Sequence, residues 1–255
     1  MKGIVLAGGS GTRLHPATKV INKHLLPVYD KPMIYYPIST LKNAGITEIL
    51  VITDMISNPW FERLLGDGSE FGLDITYEIQ LKPSGIAEAL IIGEEFIGGD
   101  AVTLILGDNI FYSQYIDKEL RECLKDSAMG DVACIFGYHV SDPSRYGVIV
   151  EDQDTGKPLR IIEKPTEWMG DHAVVGLYCY PNNVIQKAKN LKPSKRGELE
   201  ITDINNLYFD DGRMMVNYLP KDTTWLDTGT HDSLIEASMF VKTIKDRNNV
   251  SIGEL

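Results

Sequence analysis

The residues best suited to chemistry fall at the ends of apolar runs. Directly after the first run stands Gly8-Gly9-Ser10-Gly11-Thr12-Arg13. Glycines let backbone N–H groups turn inward against phosphate oxygens. Arg13 adds a forked donor and Lys23 a point charge. Two familiar phosphate motifs fail on this stretch. Gly9 and Leu14 occupy the positions where a Walker-type loop begun at Gly3 or Gly8 needs lysine, and Leu14 stands where a dinucleotide GxGxxG begun at Gly9 needs its third glycine. A glycine turn without ligand is the competing reading.

Asp108 follows another buried-type run, where a carboxylate could hold Mg²⁺ together with substrate phosphates. Asp227, in Trp225-Leu226-Asp227-Thr228-Gly229-Thr230, is its candidate partner. An Asx-turn or helix cap explains either residue taken singly. Glu163-Lys164-Pro165 offers an acceptor for sugar hydroxyls and a cation for a phosphate, against a solvated ion pair. Arg145-Tyr146-Gly147 offers a ring and open backbone to a sugar face, or is an ordinary hairpin corner. Gln80, with Gly85 just beyond, could bond a base edge through side-chain amide and backbone.

These residues need strand ends to present them. Lys2–Ala7, Glu48–Thr53, Asp74–Gln80 and Ala101–Leu106 read as strands, with helices after Pro32 up to Gly45, over Asn58–Leu65 and over Ile86–Phe96. That alternation predicts an α/β fold with a mostly parallel, helix-covered sheet, whose ligands sit at the carboxyl ends of the strands. After a helix near Asp117–Asp126, the runs Val132–Val140, Val148–Glu151, Leu159–Glu163 and Ala173–Tyr180 predict antiparallel additions that form a second lobe. Helices near Val184–Asn190 and Ile204–Phe209, a strand at Met214–Leu219 and a helix over Ser233–Arg247 complete the pattern. No linker or repeat interrupts it, so one continuous unit over 1–255 is expected. Its nucleotide-binding half covers about 1–110, its sugar-phosphate half about 111–230, and a C-terminal helix and tail the remainder.

Composition narrows the partners. The chain has 255 residues, 43% hydrophobic and 24% charged, and a net charge of −11. That acidity argues against a nucleic-acid polymer. Residues 1–31 nevertheless hold Lys2, Arg13, Lys19, Lys23 and Lys31 against Asp30 alone, which suits a small polyanion as well as a cluster of solvated bases. No apolar run is long enough to span a bilayer. Cys123, Cys134 and Cys179 are odd in number and show no CxxC spacing, so neither a disulfide framework nor a zinc site is expected, and a cytoplasmic location is the default.

The stretches LAGGSGTRLHPAT, NKHLLPVYDKPMIYYPISTL, ILGDNIF, DPSRYGVI, IIEKP, RGELEITDINN and WLDTGTHDSL, in order from Met1 to about Val250, resemble the sugar-nucleotide pyrophosphorylases, most of all the branch that transfers a thymidylyl group. The resemblance implies a three-layer α/β/α, Rossmann-like nucleotidyltransferase with a smaller antiparallel sugar-binding lobe. It implies that dTTP and glucose 1-phosphate combine to dTDP-glucose and pyrophosphate, a feeder for deoxysugars such as rhamnose. Gly8, Gly11, Thr12 and Arg13 then match the triphosphate loop, Lys23 the phosphate lysine, Gln80 and Gly85 the thymine readers, and Asp108 and Asp227 the magnesium ligands. Asn109, Tyr146, Gly147, Glu163, Lys164, Val174 and Arg196 match the sugar-phosphate pocket, with Arg13, Lys23 and Lys164 in catalytic roles. His24 and Glu88 stand where glutamines are expected. The long form of the family carries a helical extension beyond the position of Leu255 that builds much of a regulatory nucleotide-sugar site and part of an oligomer interface. The expectation here is a chain without it, with a homo-oligomer, dimer or higher, left open.

Overall fold

The structure is a computed structural model describing residues 1–9, 11–113 and 115–255; Ser10, within the glycine loop, and Gln114 lie outside the described residues. In chain order its first elements are β1 (Lys2–Leu6), β2 (Pro27–Val28), β3 (Lys31–Pro32), α1 (Tyr35–Asn43), β4 (Glu48–Thr53), α2 (Asn58–Leu65) and β5 (Asp74–Ile79). Next come α3 (Glu88–Ile92), α4 (Glu94–Ile97), β6 (Val102–Leu106), β7 (Asn109–Tyr112), α5 (Ile116–Gly130), β8 (Ala133–His139), β9 (Gly147–Glu151) and β10 (Pro158–Glu163). The chain ends with β11 (His172–Tyr180), α6 (Val184–Lys189), α7 (Ile201–Asp210), β12 (Met214–Tyr218), β13 (Thr224–Asp227) and α8 (His231–Asn248). Contacts group these residues into two units.

One unit comprises Lys2–Pro83, Ile105–Arg121 and Asp222–Leu255. Strands β1, β4 and β5 run parallel, in register from Lys2↔Glu48 to Leu6↔Ile52 and from Glu48↔Asp74 to Thr53↔Ile79. Parallel strands covered on both faces need continuous apolar runs, and Ile4, Val5 and the Ile49–Ile52 stretch are buried accordingly. Helix α1 ends as its sequence predicts. Gly45 adopts φ +85°, its N–H reaches Lys42 O, and Ile46 N–H reaches Leu41 O, the paired bonds of a Schellman stop.

A second, short sheet in this unit carries the site. Strand β13 pairs antiparallel with β7, placing Asp227 opposite Asn109 and Leu226 opposite Ile110. Beneath it Val28, Met33, Tyr36, Ile110, Ala237 and Val241 form one apolar cluster, joining β2, α1, β7 and α8. Each such fully buried aliphatic chain contributes about 1.5–3 kcal/mol. None of β2, β3, β7 or β13 was legible as a strand, because runs of two to four residues show no period.

The other unit comprises Met1, Ser84–Leu104 and Glu122–Lys221. Here β11 pairs antiparallel with β8 and β9, and β9 with β10, as the turn residues between them predict. Strand β12, expected as a strand without a direction, pairs the other way. It runs parallel to β8, from Met214↔Ala133 to Tyr218↔Gly137, because it returns after α7 rather than through a hairpin. The single helix expected over Ile86–Phe96 is two short helices meeting at Gly93. Two of the three cysteines come together here. Cys123 on α5 and Cys134 on β8 are joined, with Cα atoms 5.9 Å apart and the Asn217 amide against both sulfurs. The pairing has no sequence signature because a helix-to-strand return, not a motif, brings the two together. The chain's third cysteine, Cys179, is buried and unbonded.

Candidate active site

In the first unit the carboxyl ends of β1, β4 and β5 release Gly8, Asp54 and Gln80. The loop after β1 needs its glycines. Gly11 sits at φ +56°, and a methyl there would lie 3.2 Å from Thr18 Cβ and 3.4 Å from Lys23 Cβ. Thr18 Oγ1 donates to Gly11 O at 2.6 Å, closing the loop on the residues that follow. A methyl on Gly8 would meet Gln80 Oε1 at 2.9 Å, so the Gln80 side chain lies over the start of the loop. Tight 3₁₀ turns occupy Thr12–Leu14, Ala17–Lys19 and Lys23–Leu25. A cleft of about 280 Å³ opens beside them, lined among others by Gly9, Asn22, Asp54, Gln80 and Lys82.

Lys23 Nζ pairs with Asp108 Oδ2, and the two side chains are only 14% and 10% exposed. Asp108 Oδ1 accepts from Asn109 Nδ2 at 2.9 Å, and Asn109 Oδ1 accepts from Trp225 Nε1 at 2.7 Å. Burial alone would raise the Asp108 pKa, but the Lys23 charge and the hydrogen bonds from Lys23 and Asn109 outweigh it and hold the carboxyl well below the ordinary range. The neighbouring His24 ring moves the opposite way. Burial, then the Lys23 charge, lowers it from 6.5 to about 3, so the ring is neutral at working pH. The turn reading of Asp108 therefore gives way to an ion pair.

Asp227 is likewise not the cap of α8. Thr230 is, its hydroxyl accepting from Ser233 N–H while Ser233 Oγ accepts from Thr230 N–H. Asp227 Oδ1 instead accepts from Gly229 N–H at 3.1 Å. A methyl on Gly229 would lie 2.7 Å from Arg13 Nη2 and 3.0 Å from Asp227 Oδ1, so guanidinium and carboxylate flank its bare Cα. Thr228 fastens the two aspartate segments together: its N–H and Oγ1 both donate to Asp108 O, at 3.1 and 2.8 Å. The structure thus gathers Arg13, Lys23, Asp108, Asn109 and Asp227. Thr228, Trp225 and Asn22 belong with them and went unread, although a capping-type asparagine directly before Lys23 was a usable signal.

Two carboxylates offer hard oxygen donors of the kind Mg²⁺ or Ca²⁺ takes. Among the described residues no group of three or more His, Cys, Asp or Glu is placed to hold a metal. The donor set therefore fits a cation that completes its shell with phosphate and water oxygens.

The second unit holds the remaining candidates. Glu163 stands opposite Gly147 across β10 and β9. Its Oε2 accepts from Thr202 Oγ1 at 2.7 Å, while Lys164 Nζ and Arg196 Nη2 lie 3.4 and 3.3 Å from Oε1. Lys164 is one of few non-glycine residues at positive φ, +44°, and its N–H donates to Tyr146 O at 2.9 Å. Arg145 lies over the Tyr146 ring at 5.5 Å. Arg196 is chiefly bound by Glu200, at 2.7 Å. Val174 is buried on β11, next to the Ala173 that pairs with Val148. Gly85, at φ +110°, is pressed against the Leu199 backbone, which leaves no room for a side chain.

The first unit thus carries a glycine loop together with a paired cation and two carboxylates. Residues 2–244 match the nucleotidyl transferase family, and the chain belongs to that family of enzymes. It is 54% identical to a glucose-1-phosphate thymidylyltransferase of Neisseria meningitidis over 99% of this chain and 86% of that protein. It is 51% identical to one of Mycolicibacterium smegmatis with the same coverage. A solved Bacillus anthracis structure assigned to the same activity, in complex with a sucrose, superposes with a TM-score of 0.86 at 44% identity, over 94% of each chain. A UDP-glucose pyrophosphorylase bound to UDP-glucose, at 24% identity and TM-score 0.82 over 96% of this chain and 99% of that one, shares the fold. No described helix is long and apolar enough to cross a membrane. Nucleotidyl transfer from a triphosphate generally runs with a divalent metal.

Proposed function

We propose that the protein transfers a thymidylyl group from dTTP to glucose 1-phosphate, giving dTDP-glucose and pyrophosphate. The buried pair of Lys23 and Asp108, beside Arg13 and Asp227, is the observation that carries this reading, and the thymidylyltransferase relatives supply the substrates. A phosphate oxygen of the sugar attacks the α-phosphorus in line. The bond to the β-phosphate bridging oxygen breaks, and pyrophosphate leaves with its electrons. The attacking oxygen is already ionised, so no side chain need act as nucleophile or strong base. Repulsion between two anions is the barrier, and fixed charge is the remedy.

In this reading Gly8, Gly11, Thr12 and Arg13 take the triphosphate, with Arg13 balancing charge on the departing pyrophosphate. Lys23 neutralises the reacting phosphates, and Gln80 and Gly85 read the thymine. Asp108 and Asp227 would hold Mg²⁺, which supplies Lewis-acid neutralisation of phosphate oxygens. Glu163, with Asn109, Tyr146, Gly147, Val174 and Arg196, orients the sugar phosphate, and Lys164 holds its phosphate. A cytoplasmic enzyme is the reading that goes with these substrates, and its product would feed dTDP-deoxysugars such as dTDP-rhamnose.

A pyrophosphate-release assay across four nucleotides and several sugar phosphates, with and without Mg²⁺, tests the reading. Preference for dTTP with glucose 1-phosphate is expected. Equal turnover of UTP would overturn the thymidylyl assignment, and no release with any pair would leave a binding protein.

A further inference from the structure

We propose that Asn22 and His24 are positioning residues for the transfer step: a hydrogen-bonded brace that fixes Lys23 and the turn bearing Asp108 in one geometry. The inference rests on the roles given above to Lys23 and Asp108.

Lysine is a long, flexible side chain, and a charge that must meet a developing negative charge works best when held beforehand. The residues on either side of Lys23 are both anchored. Asn22 uses every hydrogen-bonding position of its amide. Its Nδ2 donates to Ala7 O and to Asp54 Oδ2, each at 2.9 Å. Its Oδ1 accepts from His24 N–H at 2.9 Å and faces His24 Nδ1 at 2.8 Å. Because Nδ2 gives both protons away, the oxygen is the atom facing the ring, so Nδ1 is the ring nitrogen that carries hydrogen. Asp54 is itself held by the N–H groups of Ile56 and Ser57, at 3.0 and 2.9 Å. The tie therefore runs from the end of β1, at Ala7, and the end of β4, at Asp54, to the turn carrying Lys23.

The same ring reaches the other partner of the ion pair. A methyl placed on Gly107 would lie 2.7 Å from His24 Cδ2 and 3.1 Å from Nε2, with Leu6 O on its other side at 3.0 Å. The imidazole edge thus rests on the bare Cα directly before Asp108. Both rings of contact are out of water, His24 being 1% and Asn22 9% exposed. Filling space would need no polar partners at all, whereas this arrangement satisfies four bonds on one amide and seats the ring against the turn that presents the carboxylate.

The test is pyrophosphate release by the full-length enzyme at saturating Mg²⁺, separating kcat from KM for dTTP and glucose 1-phosphate. His24→Ala and Asn22→Ala should each lower kcat about 10- to 100-fold, the scale for a charge displaced by around 1 Å, with both KM values within about threefold. His24→Gln keeps an N–H donor for Asn22 and should recover to within about threefold of wild type. Gly107→Ala should also lower kcat, and should do so at least about fivefold less in the His24→Ala background, where the ring is gone. Folded His24→Ala enzyme with wild-type kcat and only a lowered Tm would overturn the brace, as would strictly additive losses in the cycle. The His24 variants decide the matter if Asn22→Ala does not fold. Lys23→Ala is the reference: wild-type turnover there would sink the reading of Lys23 itself, whereas a crippled Lys23→Ala beside unaffected His24 variants would sink the brace alone.

Discussion

Asp108 and Glu163 are both carboxylates at strand ends, each beside a lysine and an asparagine or arginine, yet they are set up for opposite work. Asp108 is buried, its charge fixed by Lys23, with each oxygen accepting one hydrogen bond and keeping a lone pair. Glu163 keeps 28% of its side chain exposed and shares its oxygens among Thr202, Arg196 and Lys164 at looser distances. Rigid, dry charge changes a barrier height, because nothing must reorganise when the reaction occurs. Wet, shared charge can exchange partners and so suits recognition of sugar hydroxyls. The difference predicts that damage to the first region appears in kcat and damage to the second in KM.

The largest effects should come from the region around Asp108, where Arg13 and Asp227 are less buried than Asp108 itself. Arg13→Ala should cost about 10²–10³ in kcat, the range for removing one preorganised charge stabiliser. Asp108→Asn should fall in the same range, with turnover impaired more than folding, and Asp227→Asn should behave alike. Steady-state kinetics beside thermal melts checks all three. Wild-type turnover with a lowered Tm for the aspartate variants would return both residues to a structural role and erase the contrast.

How much of this was legible can be judged residue by residue. The helix over Asn58–Leu65 and the stop at Gly45 follow from local signals, an apolar period in one and a required left-handed backbone in the other. Gly8 and Asp108 could be picked out because they follow apolar runs, and Arg13 and Lys23 because they are cations near the glycine loop, whereas Asp227, ahead of the last helix, could be named only as a candidate partner of Asp108. What joins them was not. The β7–β13 pairing is long-range and only four residues deep, so no periodicity announces it. Thr228, which ties the two aspartate segments, reads in sequence as any threonine in a turn. The Cys123–Cys134 pairing, only 11 residues apart in sequence, was missed because a return from helix to strand carries no spacing motif.

The neutral His24 gives a second, intermediate test of how dry the first region is. Its pKa is about 3 in the fold against 6.5 when unfolded. Between those values the unfolded chain binds a proton that the folded chain does not, so stability is lost as pH falls below about 6.5 and is unaffected above it. The slope approaches about 1.4 kcal/mol per pH unit. In metal-free protein, the stability advantage of wild type over His24→Gln should therefore narrow by roughly 2 kcal/mol between pH 7 and pH 5. Denaturant melts of the two proteins at both pH values measure it. A constant gap would mean that water reaches the ring and that the region is not dry.

The smallest effect belongs to the wet region. Glu163→Gln keeps the shape of the side chain and an oxygen for Thr202, but removes the charge facing Lys164 and Arg196. Those two cations are 49% and 41% exposed, so solvent already screens their attraction to Glu163, and each such pair is worth at most about 1 kcal/mol. Arg196 also keeps Glu200 at 2.7 Å and should stay in place. The lost term is then mainly the stronger hydrogen bond that a charged acceptor gives a sugar hydroxyl. KM for glucose 1-phosphate should rise about three- to tenfold, with KM for dTTP and kcat within about twofold. A hundredfold fall in kcat instead would show Glu163 stabilising the transition state, and the division between a region that lowers the barrier and one that recognises the sugar would fail.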